Sequence, residues 1–145
     1  MNSVSYKPIL LIGVAAGVLL STIAGSTSAS SEVPPVAQKQ VEQWLSLLDA
    51  QNYEASWERA GTFFKQQVTV SQWQSAAQKV HKSFGAVQSR SAQTATATTD
   101  VPGAPDGNYV IFMFNTTFEH KQNAVETVTA VEEMGAWRVV GYFVR

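Results

Sequence analysis

Four side chains in the second half of the chain have the types and spacing to do chemistry together: Arg90, Glu126, Arg138 and Tyr142. Each falls in a stretch with strand-like alternation. On one sheet face, two guanidiniums, a carboxylate and a phenol could bind an anion or form a charged, hydrogen-bonded cluster. The plainer reading is cross-strand ion pairing on a solvated face, worth a fraction of a kcal/mol to about 1 kcal/mol per pair. Glu126 is also the best candidate for a catalytic base, because it lies mid-strand. An isomerase or hydratase would need such a carboxyl inside a pocket. Strand register decides between these readings, and register is not visible in the sequence.

Other chemistries find less support. The two histidines, His81 and His120, sit far apart in different kinds of element and read as solvated surface residues. The chain has no cysteine, which removes thiol catalysis, a disulfide framework and most structural zinc sites. No metalloprotease, calcium-loop or phosphate-loop pattern occurs, and no G-x-S-x-G elbow. Charge is sparse and balanced, with no basic run of the kind that follows a nucleic-acid backbone. No residue is therefore assigned as catalytic, cofactor-binding or metal-ligating, and no cofactor or nucleic-acid partner is expected. Asn115-Thr116-Thr117 matches a glycosylation triplet, but inside a strand it reads as chance.

The elements that must position the four side chains come from periodicity. Val41, Trp44, Leu45 and Leu48 mark one face of a helix over 36–50. Tyr53 and Trp57 mark a short second helix, with Asn52 as its cap, ending near Gly61. Thr62 could cap a further turn carrying Phe63 and Phe64. Ser71 and Gln74 form a capping-box pattern ahead of Trp73, Ala76, Ala77, Val80 and Phe84, and Gly85 suits the end of that helix. Trp44, Trp57 and Trp73 lie on apolar faces and read as core, the alternative being an aromatic-lined pocket. The rest alternates: a polar outer strand over 86–99, then strands over 108–118, 124–132 and 137–145, separated by turn residues. On the first of these, Ala92, Thr94, Thr96 and Thr98 are expected to share one face. On the last, Arg138, Val140, Tyr142 and Val144 are expected to share one. Helices first and an antiparallel meander afterwards make an α+β plan.

Residues 1–29 read as a signal peptide: Lys7, an apolar run from Pro8 to Leu20, then small residues ending at Thr27-Ser28-Ala29. Cleavage after Ala24 is the second choice, and an uncleaved membrane anchor is the alternative. Loss of Lys7 would take the formal charge from −1 to −2. Residues 30–35 read as a linker and 36–145 as a single domain, large enough to fold without staples.

Several short pieces together look familiar: Tyr53-Glu54-Ala55-Ser56-Trp57, Val68-Thr69-Val70-Ser71-Gln72-Trp73, Ser89-Arg90, Pro102-Gly103-Ala104-Pro105-Asp106-Gly107-Asn108-Tyr109-Val110, Glu126-Thr127-Val128-Thr129 and Trp137-Arg138-Val139-Val140-Gly141-Tyr142. In this order, across about residues 36–145, they resemble the bacterial family known as domain of unknown function 4019. The resemblance implies an exported domain without an assigned activity. Its plan looks like the cystatin-like or nuclear-transport-factor-like cone, in which a curved four-stranded sheet cradles helices, and it supplies no catalytic residue. The expectation is a periplasmic or secreted, non-enzymatic module that binds a small ligand or a protein partner, with no membrane contact once the leader is removed. Two alternatives stand beside it: a cone-fold isomerase or hydratase, and a structural homodimer of the envelope joined through the sheet face.

Overall fold

The computed structural model describes residues 32–145; the leader expected at 1–29 lies outside the described residues. Four helices come first: α1 (Pro35–Asp49), α2 (Tyr53–Arg59), α3 (Thr62–Gln67) and α4 (Val70–Phe84). Four strands follow: β1 (Val87–Thr98), β2 (Tyr109–Phe118), β3 (Ala124–Glu133) and β4 (Ala136–Val144). The strands form one antiparallel sheet in the order β1-β2-β3-β4, so every neighbour in space is a neighbour in sequence. The fold is α+β.

The helices start and stop for local reasons. Pro35 opens α1, where its missing N–H is not needed. The capping box of α4 is formed by Thr69 and Gln72, not by Ser71 and Gln74: the Thr69 hydroxyl accepts from the Gln72 N–H, and the Gln72 side chain accepts from the Thr69 N–H at 2.9 Å. Both pairs satisfy the motif, and the earlier one prevails because Val70 then joins the helix. Asn52 flanks α2 without a side-chain cap. Thr62 lies inside α3, with Gly61 as its flanking residue. There a carboxylate from the far end of the sheet, Glu133, accepts the Thr62 N–H at 3.2 Å. Gly85 ends α4 with φ 78°.

One sheet face packs on the helices. Val41, Trp44, Leu45, Phe64 and Trp73 meet Val110, Phe112, Phe114, Val128, Ala130 and Val139 in a continuous core. Each fully buried Val, Leu or Phe there contributes roughly 1.5–3 kcal/mol. The three tryptophans are core residues with partnered indoles. Trp44 Nε1 donates to the Ser56 carbonyl at 2.8 Å, Trp73 Nε1 to the Ser56 hydroxyl at 2.8 Å, and Trp57 Nε1 to the Val68 carbonyl at 2.9 Å. On the other sheet face, Tyr109, Val140, Val101 and Phe63 form a smaller cluster, with the connection after β1 folded over it.

Three bulges, at Gln88 and Gln93 in β1 and at Val140 in β4, change which residues share a face. In β1 the register slips at Gln93, so Ala92 joins Ala95 and Ala97, not Thr94 and Thr96. In β4 the register slips between Gly141 and Val139, which makes Val140 the extra residue. Tyr142 therefore shares a face with Val139 and Trp137, and Arg138 goes to the opposite face. β1 is an edge strand, and from Ser91 to Thr96 it is exposed throughout.

Candidate functional site

Every strand places one side chain on the helix-facing side at one level of the sheet: Arg90 from β1, Thr116 from β2, Glu126 from β3 and Tyr142 from β4. The register explains the convergence. Arg90 stands directly opposite Thr116, while Glu126 and Tyr142 follow one diagonal step at a time. The last residue of α1, Asp49, closes the group from above.

Glu126 is the centre and is 1% exposed. Its Oε2 accepts from Arg90 Nε at 2.6 Å and from the Thr116 hydroxyl at 2.5 Å. Its Oε1 accepts from Arg90 Nη2 at 3.1 Å and from the Tyr142 hydroxyl at 2.7 Å. Four donors thus meet the roughly four acceptor positions of a carboxylate. Arg90 turns its remaining edge to Asp49, with Nη1 to Oδ2 at 2.7 Å and Nη2 to Oδ1 at 2.9 Å. Two carboxylates share one guanidinium, so the trio carries a formal charge of −1. A buried carboxylate without such partners would carry a large desolvation penalty.

The surroundings shift the partners strongly. Burial works against the Arg90 charge, but hydrogen bonds and attraction from Asp49 and Glu126 outweigh it and hold the guanidinium further above its ordinary range. Burial pushes the Tyr142 phenol well above its usual value, and the Glu126 charge and hydrogen bond push it further. Tyr142 is also packed, its ring 5.7 Å from Trp44 and 6.0 Å from Trp73.

Of the four residues singled out in the sequence, Arg90, Glu126 and Tyr142 come together. Arg138 does not: the Val140 bulge turns it to the far face, and it makes no ion pair among the described residues. Two members were missed. Thr116 had a signal, as the one polar residue in the inward row Val110, Phe112, Phe114, Phe118. Asp49 had none, because nothing local to a helix end announces a partner 41 residues away.

Beside the Glu126 carboxylate lies a cavity of about 40 Å³, walled by Leu48, Ala77, Val80, Val87 and Phe118 and edged by Asp49, Tyr53, His81 and Tyr142. That is room for a group the size of two or three waters, roughly. Tyr53 and His81 also line a broader polar groove of about 600 Å³ between the start of α2 and α4, with Gln51, Asn52, Glu54, Gln74, Gln78 and Lys82. The Tyr53 ring is 7% exposed, and its buried hydroxyl finds no hydrogen-bond partner among the described residues. Burial raises its pKa above the ordinary phenol value. No cluster of three or more His, Asp or Glu suited to a metal ion occurs among the described residues. No described helix is long and apolar enough to cross a membrane.

No curated protein matches the chain. A family described as "Protein of unknown function (DUF4019)" matches residues 40–142, a span that runs from within α1 to within β4 and holds every member of the Glu126 network. On that match, this chain belongs to the DUF4019 family.

Proposed function

We propose that this chain is an exported module of the cell envelope that binds a small ligand or a protein partner and does not turn it over. One observation carries the choice between binding and catalysis: the Glu126 carboxylate has all its acceptor positions filled from within the protein. A general base needs a free lone pair within reach of the proton it removes. Here the four donor groups come from three residues of the sheet itself, so the carboxylate organises the floor of a cleft. The polar groove above that floor, and the Tyr53 hydroxyl that has no partner among the described residues, support recognition of a ligand. Export rests on the leader-like residues 1–29.

A second reading has an observation of its own. On the sheet face away from the main core, Ile111, Met113, Val131 and Phe143 are only half-buried, which favours a structural homodimer through that face. Native mass spectrometry of the protein taken from the envelope fraction, without refolding, tests both readings. A mature chain carrying a non-covalent adduct is the expected result. A bare dimer would transfer the case to the sheet interface, and a bare monomer that converts a candidate substrate would overturn the non-enzymatic reading. The same intact mass locates any cleavage after Ala24 or Ala29.

A further inference from the structure

We infer that the cleft beside Glu126 receives a primary ammonium group, carried on a polar body that lies in the groove between α2 and α4. The inference rests on the ligand-binding reading above and names the chemistry of the ligand.

Three observations converge on a cation that donates hydrogen bonds. The first is charge. Among the described residues Asp49 and Glu126 share only Arg90, which leaves one formal negative charge at the cleft. Further out, Glu54 and Lys82 offset one another. The second is hydrogen-bonding capacity. Glu126 is saturated, but Asp49 uses only one acceptor position on each oxygen, both towards Arg90. The Tyr142 hydroxyl donates to Glu126 and keeps its own lone pairs. The Tyr53 hydroxyl is buried at the cavity with no hydrogen-bond partner among the described residues. The unused capacity is therefore mostly acceptor, and an ammonium is donor-only.

The third is shape. The cavity is small, and Leu48, Ala77, Val80, Val87 and Phe118 make its walls apolar. A hard metal ion seeks six or more oxygens and does not suit such walls. An ammonium with its first methylene does, because the methylene meets the aliphatic side while the N–H groups meet Tyr53 and Asp49. The rest of the ligand would lie among Gln51, Asn52, Gln74 and Gln78, whose amides suit hydroxyl, amide or further amine groups.

The test is a titration of the isotope-labelled mature domain followed by NMR, with n-propylammonium, n-propanol and propionate as size-matched probes. It is run at pH 8. The expected result is saturable shifts at Tyr53, His81 and Tyr142 with propylammonium at roughly millimolar concentration, as befits so few atoms, and none with propionate. Tyr53→Phe should weaken binding about tenfold, the worth of one hydrogen bond. Asp49→Asn should weaken it by roughly tenfold or more, because it removes the net charge. Equal response to n-propanol would overturn the ammonium assignment and leave a ligand-binding cleft in place. No saturable shift with any probe, in a folded protein whose spectrum matches the envelope-derived form, would overturn the inference. A non-amine adduct on that envelope-derived protein would overturn it too, and would uphold the broader binding reading.

Discussion

Arg90 and Glu126 are joined across an intervening strand. β2 separates β1 from β3, yet Arg90 Nε reaches Glu126 Oε2 at 2.6 Å. Strands two apart are roughly 9.5 Å from one another, a gap that a long guanidinium side chain bridges. Thr116, on the strand between, donates to the same oxygen.

The pair should show an asymmetric response to mutation. Arg90→Ala leaves Glu126 buried and under-partnered and is expected to destabilise by about 3–5 kcal/mol. Replacing both, Arg90→Met with Glu126→Leu, should recover most of that loss, since well-packed apolar side chains often match a buried pair. Urea unfolding of the single and double variants measures the difference. Equal destabilisation of both would show that the network supplies net stability beyond its own desolvation.

Alkaline pH should unfold the protein through Tyr142. Its folded pKa stands well above the unfolded value of about 10, with burial as the main cause. Above pH 10 the unfolded chain has lost a proton that the native state keeps, so stability falls as pH rises. Its contribution is complete below pH 10 and drains away as the pH climbs towards the folded pKa. Tyr53 and Tyr109 act in the same direction. Tyr142→Phe should flatten the alkaline limb of stability against pH, with tyrosinate absorbance rising together with unfolding.

Gly85 and Gly103 share a positive φ but differ in their surroundings. Both have φ near 80°, at 78° and 80°. A Cβ at Gly103 would meet nothing within 4 Å; at Gly85 it would fall 2.5 Å from the Glu119 carboxylate, which accepts the Ala86 N–H. Gly103→Ala should cost about 1 kcal/mol, from backbone strain alone. Gly85→Ala should cost more, roughly 2–3 kcal/mol, because Glu119 must move as well. Thermal melts of the two variants side by side check the order.

Ser56 is the joint beneath the tryptophans. It is fully buried, accepts from Trp73 Nε1 and donates to the Tyr53 carbonyl. Ser56→Ala strands the indole N–H and should cost about 1–3 kcal/mol. In a Trp73→Phe background the same change should cost less, because no donor is left unpaired. A double-mutant cycle by chemical denaturation gives the coupling directly.

The parts of the molecule visible in the sequence are those with an uninterrupted period. Four helical stretches and four alternating ones appear as expected, because each buries one face, and Met134-Gly135 makes a two-residue turn with positive φ at both positions. What failed did so at interruptions. A single inserted residue reverses every side chain beyond it, and Val140 and Gln93 are such insertions. Alternation alone puts Arg138 with Tyr142, whereas the Val140 bulge sends them to opposite faces. Glu126 was legible as a candidate, but its burial was not, since that depends on Asp49 and Arg90 arriving from elsewhere in the chain.

The saturated carboxylate also bears on how long a molecule stays folded. Its partners lie 36, 10 and 16 residues away in sequence, and Arg90 in turn reaches back 41 residues to Asp49. No local segment can assemble it; all four strands and the end of α1 must already be in place. Contacts that close such long loops form late, after the chain entropy has been lost. A late interaction leaves the folding rate nearly untouched and slows escape from the native state. Arg90→Ala should accordingly steepen unfolding kinetics in stopped-flow experiments while refolding proceeds at its original pace. The network is a latch set after the door has closed, and its worth to the protein would be counted in lifetime.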